Sequence, residues 1–153
     1  MKRKQFKIDI NAPVEKTFNV MLGLSEKSTF EQWTALFNPT STFEGSWEKG
    51  EKIYFIGTDD KGNRGGMVAR IVENIPNQYV SIQHYGILEG DKEILEGPQV
   101  EQWAGGLENY IFENHGDTTT VTVEVDVTNE NLDYFDTTYP KALEKLKNVV
   151  EVS

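Results

Sequence analysis

The sequence predicts an α+β fold in which a curved, seven-stranded antiparallel sheet wraps around a long C-terminal helix. Segments that alternate apolar and polar residues follow one another from about residue 40 to 127, joined by short turns. Two helical patterns separate the first strand from these segments, and an apolar stripe with helical spacing returns after residue 132. Because strands and helices are segregated rather than alternating, the sheet is expected to be antiparallel.

The first element is predicted to be a half-buried strand over residues 4–10, whose inner face carries Phe6, Ile8 and Ile10. A helix is predicted over residues 13–22. Asn11 is a suitable N-cap, Pro13 fits the first turn, and Gly23 closes the helix.

A second short helix is predicted before the second strand. Residues 28–31 (Ser-Thr-Phe-Glu) match a capping box, and Asn38-Pro39 is expected to end the helix. Its apolar face carries Phe30, Trp33 and Phe37.

Six further strands are expected at residues 42–47, 52–58, 66–74, 79–88, 107–113 and 118–127. The last strand alternates throughout, and its inward residues are Val121, Val123, Val125 and Val127. Such alternation indicates that one face of the sheet is covered. In the strand over 79–88 two sets compete for the inner face. The more apolar set is Val80, Ile82 and His84, so His84 is expected to point inward.

The register of the last hairpin depends on its turn. A turn of two or four residues would place Asn114 opposite Asp117, Tyr110 opposite Val121 and Glu108 opposite Val123. Glu108, Tyr110 and Phe112 would then share the inner face with the valines. A three-residue turn would point the alternate residues inward, because a slip of one residue reverses the two faces. The first register is preferred since it buries Phe112.

The covering element is a helix that begins near Leu132, with a continuous apolar stripe formed by Leu132, Phe135, Tyr139, Ala142, Leu143, Leu146, Val149 and Val150. Pro140 interrupts the hydrogen-bond pattern within this stripe. Either one long helix kinks at Pro140, or a turn precedes a helix capped near Thr138. The long helix is preferred because the stripe keeps its phase across the proline.

Residues 90–106 do not match any regular element, and they contain four glycines, Pro98 and four acidic residues. Long irregular connections in compact domains are often functional. Two interpretations are open, an acidic hairpin extension or a lid over a cavity with Trp103 as its anchor.

Composition limits the class of protein. The chain has 153 residues, the length of one domain, so residues 1–153 are taken as a single domain. It contains no cysteine, which suits a reducing compartment, and no apolar run of membrane-spanning length. The net charge of −10 argues against nucleic-acid partners. We expect a cytoplasmic protein without a membrane span.

A curved sheet closed by one helix leaves a cavity if the two short helices fill its open end incompletely. The side chains expected to line it are Trp33, Met67, His84, Trp103, Tyr110, Phe112, Phe135, Tyr139 and Leu143. His84 and Glu108 could anchor a polar group of a ligand.

The other polar motifs indicate turns. His115 is expected to be solvated, and residues 59–63 lack the ligand spacing of a calcium loop. The glycine-rich run 62–66 joins strand to strand, without a helix N-terminus for a phosphate. With two histidines and no cysteine, neither a metal site nor a cofactor is predicted.

Five segments together resemble a known superfamily: residues 10–16 (INAPVEK), 30–34 (FEQWT), 45–50 (GSWEKG), 84–86 (HYG) with 103–110 (WAGGLENY), and 139–147 (YPKALEKLK). The sequence resembles the START-like, birch-pollen-allergen-like (SRPBCC) superfamily, in the stand-alone bacterial form of the branch named after the activator of the heat-shock protein 90 ATPase. The resemblance covers essentially the whole chain. It implies a helix-grip fold with a deep hydrophobic cavity, and the superfamily includes lipid carriers, hormone receptors, polyketide cyclases and co-chaperones.

Three functions remain open at this point. The preferred one is non-enzymatic binding of a small apolar or amphipathic molecule in the cavity. The second is a cyclase- or hydrolase-like reaction with His84 as proton acceptor and Glu108 or Tyr110 as its partner. The third is interaction with a protein, such as a chaperone, through the acidic surface.

Overall fold

The computed structural model describes residues 1–153 and has the predicted α+β architecture. Its strands are β1 (Lys2–Ile10), β2 (Thr42–Gly45), β3 (Lys52–Thr58), β4 (Arg64–Ile75), β5 (Tyr79–Glu89), β6 (Lys92–Ile94), β7 (Gly106–Asn114) and β8 (Thr119–Val127). Its helices are α1 (Val14–Leu22), α2 (Lys27–Thr34), α3 (Pro98–Glu101) and α4 (Leu132–Val152), with a 3₁₀ turn at Asn129–Asn131. None of the helices combines the length and hydrophobicity needed to cross a lipid bilayer.

All strands belong to one antiparallel sheet with the order β1-β8-β7-β5-β4-β3-β2, and β6 adds a short hairpin to β5. The sheet therefore has eight strands, one more than expected. Two register shifts interrupt the β4–β5 ladder, between Val68 and Ala69 and between Ile71 and Glu73. Such bulges increase bend and twist, which helps the sheet to curve around α4.

The inner face of the sheet meets α1, α2 and α4 in one core of 28 buried residues. The valines of β8 alternate into this core, and Val121 and Val123 are fully buried. A smaller cluster of Ile56, Val68 and Leu88 lies on the other face. The helix-grip arrangement predicted from the pattern is thus confirmed.

α4 is one continuous helix of 21 residues with Pro140 inside it. The alternative of a separate helix capped near Thr138 is therefore wrong. Tyr139, Ala142 and Leu146 lie on its buried face, as the stripe predicted. Lys4 forms a salt bridge of 3.0 Å with Asp136, which ties the exposed side of α4 to β1.

The helix ends differ from the expected caps. α1 begins after Pro13 without a side-chain cap, and the Asn11 backbone N–H donates instead to Glu151 of α4 (2.9 Å). Gly23 does end α1, in the left-handed conformation (φ 68°) that glycine adopts readily. The predicted capping box of α2 is absent, because α2 already begins at Lys27 and Ser28 therefore lies inside the helix. The Thr29 hydroxyl of the same turn donates to the carbonyls of Val20 (2.7 Å) and Glu26 (3.0 Å).

α2 ends at Thr34, four residues before the predicted stop. The Asn38 side chain explains the early end, since it accepts from the Thr40 N–H (2.9 Å) and donates to the Thr58 carbonyl (3.1 Å). These bonds fix a turn in the segment that follows α2. Phe37 therefore lies in that segment and not on the helix.

The β7–β8 hairpin has a register two residues away from the expected one. Asn114 pairs with Thr119 across a four-residue turn, Tyr110 faces Val123, and Glu108 faces Val125. The expected partners were wrong because β8 was assumed to start pairing at Asp117, whereas its first paired residue is Thr119. The face is right, since a shift of two residues preserves it.

Residues 90–106 begin with the hairpin extension of the first interpretation, and they place Trp103 at a pocket, where the second interpretation expected it. β6 pairs with β5 as a short hairpin extension, with Glu89 opposite Lys92. The chain then forms the single turn of α3 and brings Trp103 to the edge of a pocket. Trp103 is held there by a hydrogen bond from its indole N–H to the Gln99 carbonyl (2.7 Å).

Candidate functional site

A pocket of about 420 Å³ lies between the inner face of the sheet, α2 and α4. It is open to solvent on one side. Twelve of the 20 residues around it are hydrophobic, eight of them aromatic. The lining comprises Phe30, Trp33, Thr34, Phe37, Ser41, Phe55, Met67, His84, Ile87, Trp103, Glu108, Tyr110, Val125, Asp126, Val127, Thr128, Asn131, Phe135 and Tyr139, with the backbone of Gly106.

α2 supplies one aromatic wall. Phe30 and Trp33 lie one turn apart on its buried face, with their rings 5.9 Å apart in an edge-on arrangement. The Trp33 indole N–H donates to the Met21 carbonyl (2.9 Å), which satisfies the polar end of this buried side chain. The Tyr110 ring contacts the Trp33 ring edge-on at 6.1 Å. The Trp33 side chain is therefore held by one hydrogen bond and by ring contacts with Phe30 and Tyr110.

α4 supplies the opposite wall through Phe135 and Tyr139, whose positions four residues apart place them on one helix face. Their rings are stacked at 6.0 Å. The Tyr139 ring is also stacked on Phe6 of β1 at 5.1 Å and meets Phe37 edge-on at 4.9 Å. These contacts leave Tyr139 only 1% exposed.

A polar cluster of three side chains forms the floor of the pocket: His84, Glu108 and Tyr139. Ile82 pairs with Glu108 and His84 with Gly106, so β5 and β7 present both polar residues on the inner face. His84 Nε2 lies 3.0 Å from Glu108 Oε1, and a carboxylate only accepts, so Nε2 carries the donated proton. The Tyr139 hydroxyl donates to Glu108 Oε2.

This arrangement fixes the imidazole. A neutral imidazole with its proton at Nε2 carries its lone pair at Nδ1. That atom is buried without a hydrogen-bond partner. The centres of the His84 and Phe55 rings lie 5.7 Å apart, and this contact also holds the imidazole in place.

The pKa values of two tyrosines of the pocket, Tyr110 and Tyr139, are raised. Burial raises the pKa of Tyr110 well above its usual value, and the charge of Glu108 raises it further. The pKa of Tyr139 is also raised well above the usual value, first by burial and then by the charge of Glu108. Both phenols therefore stay protonated while the fold is intact, and the floor of the pocket remains acidic only through Glu108.

The raised pKa of Tyr110 predicts a pH effect on stability. An unfolded chain releases the Tyr110 proton near pH 10, whereas the folded chain keeps it, so the free energy of unfolding must decrease as the pH rises above about 10. We expect Tyr110→Phe to make this decrease less steep by up to about 1.4 kcal/mol per pH unit. Urea denaturation at several pH values from 9 to 11.5 measures the slope. Equal slopes for both proteins would contradict the buried, protonated phenol.

Asp126 closes the mouth of the pocket near the start of β7. Arg3 donates to its two carboxylate oxygens (3.0 and 3.3 Å), and the Leu107 backbone N–H donates at 2.9 Å. The bonds from Arg3 and Leu107 hold the pKa of Asp126 below its usual value, against the opposing effect of partial burial. The charge of Asp126 is thus balanced from outside the pocket.

Seven of the nine side chains expected around the cavity lie around this pocket: Trp33, Met67, His84, Trp103, Tyr110, Phe135 and Tyr139. Phe112 and Leu143 do not line it. Phe112 packs edge-on against Phe18 of α1 at 5.1 Å, so α1 closes that end of the sheet. Leu143 is 1% exposed in the core, one turn beyond Tyr139.

Phe37, Phe55 and Asp126 also line the pocket, although they were not among the side chains expected there. Alternation in β3 carries a signal for Phe55, since Ile53 and Phe55 fall on one face. The position of Phe37 depends on the turn after α2, for which the sequence has no clear pattern. Asp126 lies on the outer face of β8, between the inward-facing Val125 and Val127, and reaches the pocket only at its edge.

The remaining polar motifs are exposed turns. His115 lies in the β7–β8 turn, 3.2 Å from the Thr120 hydroxyl. The Asp59 carboxylate accepts from the backbone N–H groups of Lys61 and Asn63 (both 2.9 Å), as in an ordinary Asx turn. No group of three or more His, Asp or Glu side chains is arranged to hold a metal ion.

Comparison with known proteins identifies the fold. No family model matches the chain, and no curated protein matches it either. Among solved structures, the Aha1 dimer from Colwellia psychrerythraea matches with a TM-score of 0.70 and 22% identity over 99% of this chain and 98% of that one. The chain has the Aha1 fold. This finding confirms the fold that the resemblance in the sequence implied.

Two further structures share this fold. Protein MLL2253 from Mesorhizobium loti matches with a TM-score of 0.72 at 13% identity, over 99% of this chain and 98% of that one. Protein NE0264 from Nitrosomonas europaea matches with a TM-score of 0.71 at 13% identity, over 97% and 94%. These two matches cover nearly the whole of each chain, but at such identities they concern the fold alone.

Proposed function

We propose that the protein binds a small apolar or amphipathic molecule between the sheet and α4. The observation that carries this proposal is the pocket of about 420 Å³ with aromatic walls and one polar cluster at its floor. Protein interiors normally pack without spaces of this size. Ligand sites typically have such volumes, mostly apolar walls and a few polar groups that fix orientation.

The walls set the expected affinity. An apolar ligand that loses about 250 Å² of accessible surface gains about 6 kcal/mol at about 25 cal/mol per Å². Association itself costs several kcal/mol, so contact with the walls alone supports micromolar binding at best. A polar group of the ligand that bonds to the floor would add to this.

The enzyme hypothesis has one observation in its favour, the contact between His84 and Glu108 inside the pocket. The same contact weakens the case for proton transfer. Nε2 is engaged by Glu108, and Nδ1 is buried without access to solvent. Nε2 has no lone pair for a substrate proton while it donates to Glu108, and Nδ1 is buried out of a substrate's reach, so this geometry favours binding over general base catalysis.

The binding proposal predicts quenching of tryptophan fluorescence. Trp33 and Trp103 line the pocket, whereas Trp47 is buried among Phe30, Phe43 and Phe55. We expect a panel of lipids, flavonoids, polyketides and the neutral probe 4-phenylbutan-1-ol to include molecules that quench this fluorescence and raise the melting temperature. Val125→Phe places a larger side chain in the pocket next to Glu108. It is expected to raise the Kd of each such molecule about tenfold or more, because the loss of about 1.4 kcal/mol of binding free energy corresponds to a tenfold change in Kd.

Gln5→Phe is the matched control, since it adds the same ring at an exposed position of β1. It should leave the affinity unchanged. If no molecule of the panel changes either the fluorescence or the melting temperature, or if Val125→Phe binds as well as the control, the proposed site is wrong.

Protein interaction remains the second candidate, supported by the Aha1 fold and the net charge of −10. An acidic surface that docks on a basic chaperone patch should depend on ionic strength, because salt screens exposed charges. Capture of a chaperone at low salt and its loss at high salt would support this candidate. If the protein only binds small molecules in the pocket, no salt-dependent capture of a chaperone is expected.

A further inference from the structure

Glu108 lies at the floor of the pocket without a lysine or arginine partner. Its side chain is only 16% exposed. Its two hydrogen-bond donors are the His84 imidazole and the Tyr139 phenol. No lysine or arginine forms an ion pair with it, and none lines the pocket. A partly buried carboxylate without a cation is costly, so a site of this kind favours a ligand that supplies one.

The contrast with Asp126 supports this interpretation. Asp126 is the other carboxylate at the pocket, and Arg3 binds both of its oxygens. The carboxylate at the mouth therefore has a guanidinium partner, whereas the carboxylate at the floor has only the His84 imidazole and the Tyr139 phenol. A ligand that enters past Asp126 thus reaches a carboxylate with no lysine or arginine beside it.

The floor also has room for further hydrogen bonds and for a cation. A carboxylate can accept about four hydrogen bonds, and those from His84 and Tyr139 use two. The faces of aromatic rings attract ammonium groups, and the rings of Phe55 and Phe135 line the same pocket. A carboxylate among aromatic rings suits an amine better than it suits an acid.

We infer that the ligand is an apolar molecule with a protonated amine, whose ammonium group binds Glu108 at the pocket floor and whose apolar part lies between α2 and α4. This inference rests on the proposed function and specifies the ligand class. The net charge of −10 would also raise the local concentration of such a cation near the protein.

Three probes with the same phenyl ring and alkyl chain test the inference: 4-phenylbutylamine, 4-phenylbutan-1-ol and 4-phenylbutanoate. Titration calorimetry at pH 8 and low ionic strength compares their affinities. The amine is expected to bind about tenfold more tightly than the alcohol, and the carboxylate about tenfold more weakly, as for a desolvated charge pair and its like-charge opposite. This ranking uses the unmodified protein and does not depend on any variant folding.

The variant Glu108→Gln removes the charge and keeps the size of the side chain. It is expected to reduce the preference for the amine over the alcohol from about tenfold to less than about threefold. The matched control is Glu124→Gln, which removes one negative charge from the outer face of β8, where Glu124 pairs with Asn109. The control should keep the preference of the unmodified protein.

Each outcome has a separate meaning. The predicted ranking together with its loss in Glu108→Gln supports the inference. If the alcohol binds but the amine is no better, or if the carboxylate binds best, the inference is wrong and the binding proposal stands. If none of the three probes binds at millimolar concentration, the inference is wrong, and the binding proposal is decided separately by the wider panel of ligands. If Glu124→Gln removes the preference as completely as Glu108→Gln, general surface charge explains it and the inference is overturned.

Discussion

Replacing Gly66 with alanine is expected to lower the free energy of unfolding by about 3–5 kcal/mol, through a backbone clash that nothing nearby can relieve. A Cβ at this position would lie 1.9 Å from the Phe55 carbonyl oxygen and 3.0 Å from the Ile56 Cα. Gly66 pairs with Ile56 in the β3–β4 ladder, so the strand itself would have to move. Glycine in a strand often marks such a close approach.

Gly62→Ala is the control for this substitution. Gly62 lies in the turn just before β4 with φ +81°, and a Cβ there would meet no atom within 4 Å. Its cost should be limited to the left-handed conformation, about 1–2 kcal/mol. Urea denaturation measures both values. Similar losses in the two variants would mean that the backbones of β3 and β4 are not as close as the structure places them.

Leu143→Ala is expected to have the second large effect, a loss of about 2–5 kcal/mol in the free energy of unfolding without loss of ligand binding. Leu143 is 1% exposed and belongs to the core between α4 and the sheet. Truncation removes buried methyl groups and leaves a cavity that the rigid neighbours fill only in part. Because Leu143 does not line the pocket, its contacts are separate from those of a ligand.

Lys141→Ala serves as the control on the exposed side of α4 and should change stability by less than about 0.5 kcal/mol. The affinity of folded Leu143→Ala for 4-phenylbutan-1-ol should stay within about threefold of the unmodified value. A tenfold loss of affinity at intact folding would place Leu143 in the site after all.

The fold could be predicted because its periodic patterns are strong. The valines of β8 alternate over nine residues, and the stripe of α4 keeps its phase across Pro140. Burial patterns of this length identify an element even when its ends are uncertain. The ends were less predictable, since they depend on single side-chain bonds such as that of Asn38 to Thr58 and those of Thr29 to Val20 and Glu26.

The site could be predicted in part. Face parity alone placed His84, Glu108 and Tyr110 inside, because an even error in register leaves the face unchanged. It could not show that Tyr139 would bond to Glu108, since that contact joins two elements 31 residues apart in the chain. It also could not show that Tyr139 lines the pocket whereas Leu143, on the same helix face, does not. That difference depends on how far α1 fills the end of the sheet.

A crystal structure of the protein with 4-phenylbutan-1-ol is the most direct test of the pocket as a binding site. We predict electron density for the phenyl ring between Trp33 and Phe135, with the hydroxyl group directed to Glu108. The neutral probe makes this result independent of the amine preference. Side chains that fill the same space, or a probe bound only on the outer face of the sheet, would contradict it.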